Sequence, residues 1–188
     1  QFWSSTVLFD KKGKEHTKFS EETIDGIVQA SFEMGSVKTG ALIVVEQETM
    51  LTEYERTGIP LDCIVSRQVL INIFEHNTPL HDGAIIVRGN RIVSATCYLP
   101  LSDNMQISKE LGTRHRAAIG MSEVSDAMII VVSEETGHVS IAQGGRLARN
   151  VTPEYLRQRI NALQNKELEF TSIRKIWKGR KKDERSTD

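Results

Sequence analysis

Cysteine is scarce in this chain. Cys63 and Cys97 are the only two, in unrelated contexts and without Cys-x-x-Cys spacing. That argues against a disulfide framework and a structural zinc site, and it fits a reducing compartment where both thiols act as small hydrophobes. No apolar run approaches the roughly 20 residues of a membrane helix, and no signal-peptide core is visible. Neither sign of charge dominates: 24 Lys+Arg against 25 Asp+Glu leave a net charge of -1. Nothing pulls the whole molecule toward nucleic acid, and none is expected as a partner. The familiar glycine signatures are missing too. There is no Gly-x-x-x-x-Gly-Lys, no Gly-x-Gly-x-x-Gly, no Gly-x-Ser-x-Gly and no internal repeat.

What is present is ordinary for a globular domain. The chain has 188 residues, 39% of them hydrophobic and 26% charged, enough for one domain with a core and a tail. Gln1-Phe2-Trp3-Ser4-Ser5-Thr6 lacks Met and opens with aromatics, so residues 1–19 read as a linker or expression remnant. Residues 20–165 form the expected folded unit. Residues 166–188 carry a basic cluster, Lys178-Gly179-Arg180-Lys181-Lys182, which Asp183, Glu184 and Asp188 dilute, so they read as a solvated, mobile tail.

Ser20 is placed to cap a helix, with Glu21 and Glu22 in its first turn and Ile24, Ile27, Val28, Ser31 and Phe32 on one face. Gly40-Ala41-Leu42-Ile43-Val44-Val45 predicts a strand buried on both faces. Residues 46–62 show turn signals and little periodicity. Ser66 predicts a second helix that stops at Asn77-Thr78-Pro79. Ala84–Val87 and Arg91–Tyr98 read as a hairpin around Gly89-Asn90. A short helix is expected over Arg116–Met121, then a strand over Ala127–Val132 and a hairpin partner over His138–Ala142. Gly144-Gly145 precedes a last helix begun by Thr152-Pro153-Glu154. Helices alternating with hairpins and isolated strands predict an α/β fold, a mixed central sheet covered by helices.

Two segments concentrate the chemistry. In Pro79-Leu80-His81-Asp82-Gly83-Ala84 a carboxylate stands beside an imidazole, followed by two small residues. On a regular strand His81 and Asp82 would point to opposite faces, so a shared metal requires an irregular backbone there. Asp82-Gly83 as a plain turn with His81 on the surface is the competing reading. In Leu111-Gly112-Thr113-Arg114-His115-Arg116 two guanidinium groups and an imidazole precede a helix, whose first N–H groups attract anions. Arg114 and Arg116 cannot share a helical face, so either the segment is loop or one arginine is a structural ion-pair partner. Ser133-Glu134-Glu135 closes a buried strand and is either a ligand loop or a charged turn. Tyr98 ends another strand and is either a stacking platform or a core aromatic. His16, His76 and His138 have no evident partners and are read as surface or turn histidines.

Taken in order, Gly40-Ala41-Leu42-Ile43, Asp82-Gly83-Ala84, Gly112-Thr113-Arg114-His115-Arg116 and Ser133-Glu134-Glu135 resemble the diadenylate cyclase domain family over roughly residues 20–165. The likeness is greatest to the membrane-bound bacterial type. The resemblance implies condensation of two ATP into cyclic di-AMP, with two pyrophosphates released, by protomers paired face to face. It implies a divalent metal, manganese first and magnesium or cobalt as substitutes. His81, Asp82 and Glu135 would hold that metal, and Asp82 would also activate the ribose 3′-hydroxyl. Thr113 would touch the ribose, and Arg114, His115, Arg116, Ser133 and Glu134 would surround the phosphates. Tyr98 would stack on adenine with Leu99 reading its edge and Leu42 lining the pocket, and Gly83, Ala84 and Gly112 would allow close approach. It also implies a location on the cytoplasmic face of a bacterial membrane, with membrane-bound or cytosolic regulators. A metal-dependent phosphohydrolase and a non-catalytic nucleotide sensor are the alternatives that these residues leave open.

Overall fold

All five residues of the strand Ala41–Val45 are apolar and buried, so a layer must cover each of its faces. The computed structural model describes residues 19–104 and 111–164 and supplies both layers. In chain order the elements are α1 (Glu21–Ser36), β1 (Ala41–Val45), α2 (Thr52–Glu55), β2 (Ile59–Ile64), α3 (Arg67–Phe74), β3 (Ala84–Arg88) and β4 (Arg91–Cys97). They continue as α4 (Thr113–Val124), β5 (Met128–Val132), β6 (Val139–Gln143) and β7 (Arg146–Ala148), and a helix over residues 153–164, α5. The strands form one seven-stranded sheet of order β2-β4-β3-β1-β5-β6-β7. β1 is parallel to β3, with Ile43 opposite Ile85, and antiparallel to β5, with Ile43 opposite Ile130. All other neighbours are antiparallel. The expected mixed sheet between helices is what forms.

Alternation along β1 splits the core in two. Ala41, Ile43 and Val45 face Ile24, Ile27, Leu70, Phe74, Leu156 and Ile160 of α1, α3 and α5. Leu42 and Val44 face the other way, onto Ala118 and Met121 of α4. The caps read in the sequence are made: the Ser20 hydroxyl accepts from Thr23 N–H at 3.2 Å, and Ser66 accepts from Val69 N–H at 3.3 Å. Thr152 does the same for Tyr155 at the start of α5.

Residues 46–62 are more ordered than their pattern suggested, for they contain α2 and β2. β2 is an edge strand, which tolerates Pro60, and its register shifts between Pro60 and Cys63, where Asp62 takes φ 49°. The segment is stapled by charge. Glu46, whose side chain is 2% exposed, accepts from Arg88 at 2.5 Å and from Leu51 N–H at 2.9 Å, while Arg88 also reaches Glu55 at 2.7 Å. The hydrogen bond that Arg88 donates to Glu46 raises the Arg88 pKa further above its ordinary value, so the guanidinium stays charged. β7 is the other unforeseen strand, joined to β6 through the two-residue turn Gly144-Gly145. The expected helix over Arg116–Met121 is longer at both ends, since α4 begins at Thr113. Of the expected linker over residues 1–19, Phe19 is described and packs against the core, while residues 1–18 and the basic tail lie outside the described residues.

Arg88→Ala strands the Glu46 carboxylate in the interior. We expect urea unfolding to show a loss of about 2–3 kcal/mol, below the full range for a buried pair because Arg88 keeps 31% exposure. Arg67→Ala, which removes an exposed pair with Glu33, should cost less than about 1 kcal/mol. Equal losses in the two variants would contradict this account of the staple.

Candidate active site

At one end of the sheet β1 and β3 begin while β4 and β5 finish, and α4 points its first turn into the same region. A cleft of about 750 Å³ opens there, with Leu42, Pro79, Asp82, Gly83, Tyr98 and Leu99 among its walls. A second cavity, about 270 Å³, adjoins it and is lined by Gly112, His115, Ser133, Glu135, His138 and Arg149 among others. Thr113, Arg114 and Glu134 belong to both linings and form the ridge between them.

The ridge is an ion pair, Arg114 Nη1 to Glu134 Oε2 at 2.6 Å. It lies over Gly40, where a Cβ would sit 2.7 Å from Arg114 Nη1 and 3.1 Å from Glu134 Oε2. A side chain at this position would require the guanidinium to shift from where the pair now sits. Arg114 spends one of its five N–H donors on Glu134 and keeps others for a ligand.

Across the cleft, residues 81–83 form consecutive bends before β3. The backbone there is irregular, as a paired role for His81 and Asp82 requires. Gly83 takes φ 85°, a region side-chain-bearing residues avoid, and its N–H donates to Asp82 Oδ1 at 3.0 Å. His81 lines neither cavity. Its Nδ1 lies 2.6 Å from the Thr78 carbonyl, which can only accept, so Nδ1 carries a proton and, in the neutral imidazole, Nε2 is the nitrogen with the free lone pair. Tyr98 is 74% exposed, too open for a core aromatic, and its N–H donates to Thr57 Oγ1 at 2.9 Å. Leu42 and Ala84 are buried, Leu42 lining the cleft from β1.

Both arginines lie within α4, the ion-pair partner of the two is Arg114, and Arg116 is placed differently. It lines neither cavity and donates to the Ser102 carbonyl at 3.0 Å, while Ser102 N–H returns a bond to the Arg116 carbonyl at 3.0 Å. The residue therefore clamps the segment after Tyr98 and Leu99 onto α4. His115 is 8% exposed. Burial pushes its pKa down, the charge of Arg149 adds to that, and Glu135 opposes it.

His81, Asp82 and Glu135 do not converge in one chain, and the described residues contain no group of three or more His, Cys, Asp or Glu side chains arranged for a metal. The donor set still fits a hard divalent ion of the magnesium or manganese kind. Such ions are commonly held by one or two carboxylates together with substrate phosphates rather than by an all-protein cage. The Nδ1 bond of His81 is the orientation that a metal-ligating imidazole uses.

Arg149 and Asn150 went unnoticed in the sequence, which carries no motif around them, and His138, read there as a surface or turn histidine, lines the smaller cavity. The available signal was Gly144-Gly145, a two-residue hairpin turn whose closure returns residues 149–150 to the start of β6.

A cleft with an exposed aromatic, beside a cavity where Arg149, His115 and a helix N-terminus face Glu135, is compatible with a nucleotide-binding α/β domain. The family model described as "DisA bacterial checkpoint controller nucleotide-binding" matches residues 28–147. The chain is 48% identical over 175 residues to the cyclic di-AMP synthase CdaA of Bacillus subtilis, covering 93% of this chain and 64% of that protein. It is 47% identical over 177 residues to a diadenylate cyclase of Listeria monocytogenes, covering 94% of this chain and 65% of the relative. The chain thus spans about two thirds of the length of these curated relatives. A crystal structure of a double-cysteine variant of DacA from Staphylococcus aureus superposes with a TM-score of 0.73 at 48% identity, over 74% of this chain and 93% of that one. A Bacillus cereus structure described as a hypothetical membrane spanning protein gives 0.67 at 46%, over 70% of this chain and 64% of that one. The chain belongs to the diadenylate cyclase (DAC) domain family.

His115 makes a pH prediction. Its folded pKa lies below the ordinary 6.5, so the unfolded chain takes up the proton first. The stabilisation is complete above 6.5 and is lost as pH falls through the folded value. Thermal melts should show His115→Gln declining less steeply than wild type over that acid range, and parallel pH profiles would contradict it.

Proposed function

We propose that this chain is the catalytic unit of a diadenylate cyclase, joining two ATP into cyclic di-AMP with release of two pyrophosphates. The observation that carries this reading is the pair of adjoining cavities with Asp82 on the wall of the larger one. Adenine stacks on Tyr98, with Leu99 at its edge and Leu42 beneath. The ribose lies by Thr113 and Asp82, and the phosphates cross the Arg114–Glu134 ridge toward Ser133, His115 and the first N–H groups of α4.

The ribose 3′-hydroxyl is a poor nucleophile near neutrality, so a carboxylate must take its proton as it attacks. Asp82 is oriented for that by the bond from Gly83. The new bond joins O3′ to the α-phosphorus of the second ATP. The bond from that phosphorus to the bridging oxygen breaks, and pyrophosphate leaves with its electron pair. Arg114 and the α4 N-terminus offset the charge that develops. The same exchange in the opposite sense closes the ring.

One chain offers one such cleft, so the second ATP comes from a copy facing it, and positioning the two supplies much of the rate. His81, Asp82 and Glu135 are the residues that would hold a divalent metal, manganese first and magnesium or cobalt in its place. When bound, the metal supplies acidification of the hydroxyl and charge compensation at the leaving group. The description of the Bacillus cereus protein as membrane spanning supports a place on the cytoplasmic membrane face. Among the described residues no helix is long and apolar enough to cross a membrane.

Incubation with ATP and manganese followed by mass spectrometry should yield cyclic di-AMP. AMP or ADP as the main product would point to a phosphohydrolase, and ATP binding without turnover to a sensor. Asp82→Asn should keep its melting temperature and most ATP binding while losing about 10²–10⁴-fold in synthesis. Near wild-type synthesis by this variant would remove Asp82 from the mechanism.

A further inference from the structure

The cations of this fold are mostly engaged. Arg88 is held by Glu46 and Glu55, Arg114 by Glu134 and Arg116 by the Ser102 carbonyl. Arg149 differs. Among the described residues it has no hydrogen bond and no ion pair, yet its placement is not casual. It directly follows β7, and Asn150 then takes φ 50°, a conformation asparagine adopts more readily than most residues. Val151 N–H donates to the Val139 carbonyl at 2.8 Å, and its side chain packs on the core. These anchors on either side fix Arg149 on the wall of the 270 Å³ cavity.

Other donors meet it there. His115 lines the same cavity, is more than nine-tenths buried, and its imidazole has no hydrogen bond among the described residues. The cavity also reaches the first turn of α4, where Gly112 provides no side-chain cap for the helix N–H groups. Two carboxylates share the lining: Glu134 is engaged by Arg114, and Glu135 is among the residues that would hold a metal. At about 270 Å³ the space falls below the roughly 300–1,000 Å³ of pockets that take a whole ligand. It adjoins the cleft across a shared ridge, so it is a subsite for one end of a molecule, and its walls select an anionic end.

We propose that Arg149 is a specificity-determining residue that binds the β- and γ-phosphates of ATP and makes the site favour a triphosphate over a monophosphate. The assignment rests on the nucleotide reading of the adjoining cleft. A guanidinium can meet two phosphate oxygens at once, which an ammonium cannot. The same contact would hold the pyrophosphate before it leaves.

Calorimetry with the full chain tests this, using 3′-deoxy-ATP, which lacks the attacking hydroxyl, and AMP. Arg149→Gln should weaken 3′-deoxy-ATP roughly tenfold or more while changing AMP less than about twofold. Pyrophosphate, titrated as a competitor of 3′-deoxy-ATP, should lose affinity in the same proportion. Arg149→Lys should recover part of the loss, and Arg146→Gln, at the other end of β7 and outside the lining of this cavity, should change nothing. Unchanged 3′-deoxy-ATP affinity in Arg149→Gln would overturn the assignment, and so would equal losses for both ligands. Wild-type protein that binds neither ligand would overturn the nucleotide reading itself, and this assignment with it.

Discussion

Arg114 and Glu134 meet over the bare Cα of Gly40, and the shape of the site follows from that contact. The pair joins the first turn of α4 to the end of β5 directly above the start of β1. It thereby ties the helix on one face of the sheet to the central strands. It also divides the space at this end of the sheet into a cleft with an exposed aromatic and a cavity lined by Arg149, His115 and Glu135. A side chain at position 40 would push into the guanidinium. A neutral residue at 134 would leave Arg114 free to turn toward either space. One ion pair over one glycine thus separates the cleft from the smaller cavity.

The rest of the molecule holds that arrangement steady from a distance. The buried Glu46 carboxylate gathers Arg88 and the Leu51 N–H at the other end of β1, and through Glu55 it secures the short α2. Thr57, just beyond α2, accepts from Tyr98 N–H, so this staple reaches the aromatic of the cleft. Arg116 approaches the same segment from α4 and holds Ser102. Tyr98 can therefore be exposed and still fixed in place, which is what a stacking platform requires.

The elements whose pattern is local were legible in the sequence. Ser20 and Ser66 announced their helices because a cap needs only the residues beside it. β1 and β5 announced themselves because strands covered on both faces are apolar throughout. β2 was hidden by Pro60 and by the bulge at Asp62, both of which an edge strand accepts and a sequence pattern penalises. α4 starts at Thr113 rather than Arg116 because its cap is Gly112, which offers no side-chain signal. At the site, motifs carried Asp82, Thr113, Arg114, Ser133 and Glu134 to the right end of the sheet. They could not say that Arg116 donates to the Ser102 carbonyl, since that depends on where residue 102 returns. Arg149 was illegible for the same reason: it reaches the cavity only because Gly144-Gly145 closes a hairpin and Val151 locks onto Val139.

The central claim is that each chain holds half of a reaction and two copies complete it. Specific activity measured across a range of protein concentrations, at saturating ATP and manganese, tests this most directly when sedimentation reports the dimer fraction in the same samples. Activity per chain should rise in step with the dimer fraction. Activity per chain that stays constant while monomer converts to dimer would contradict the account.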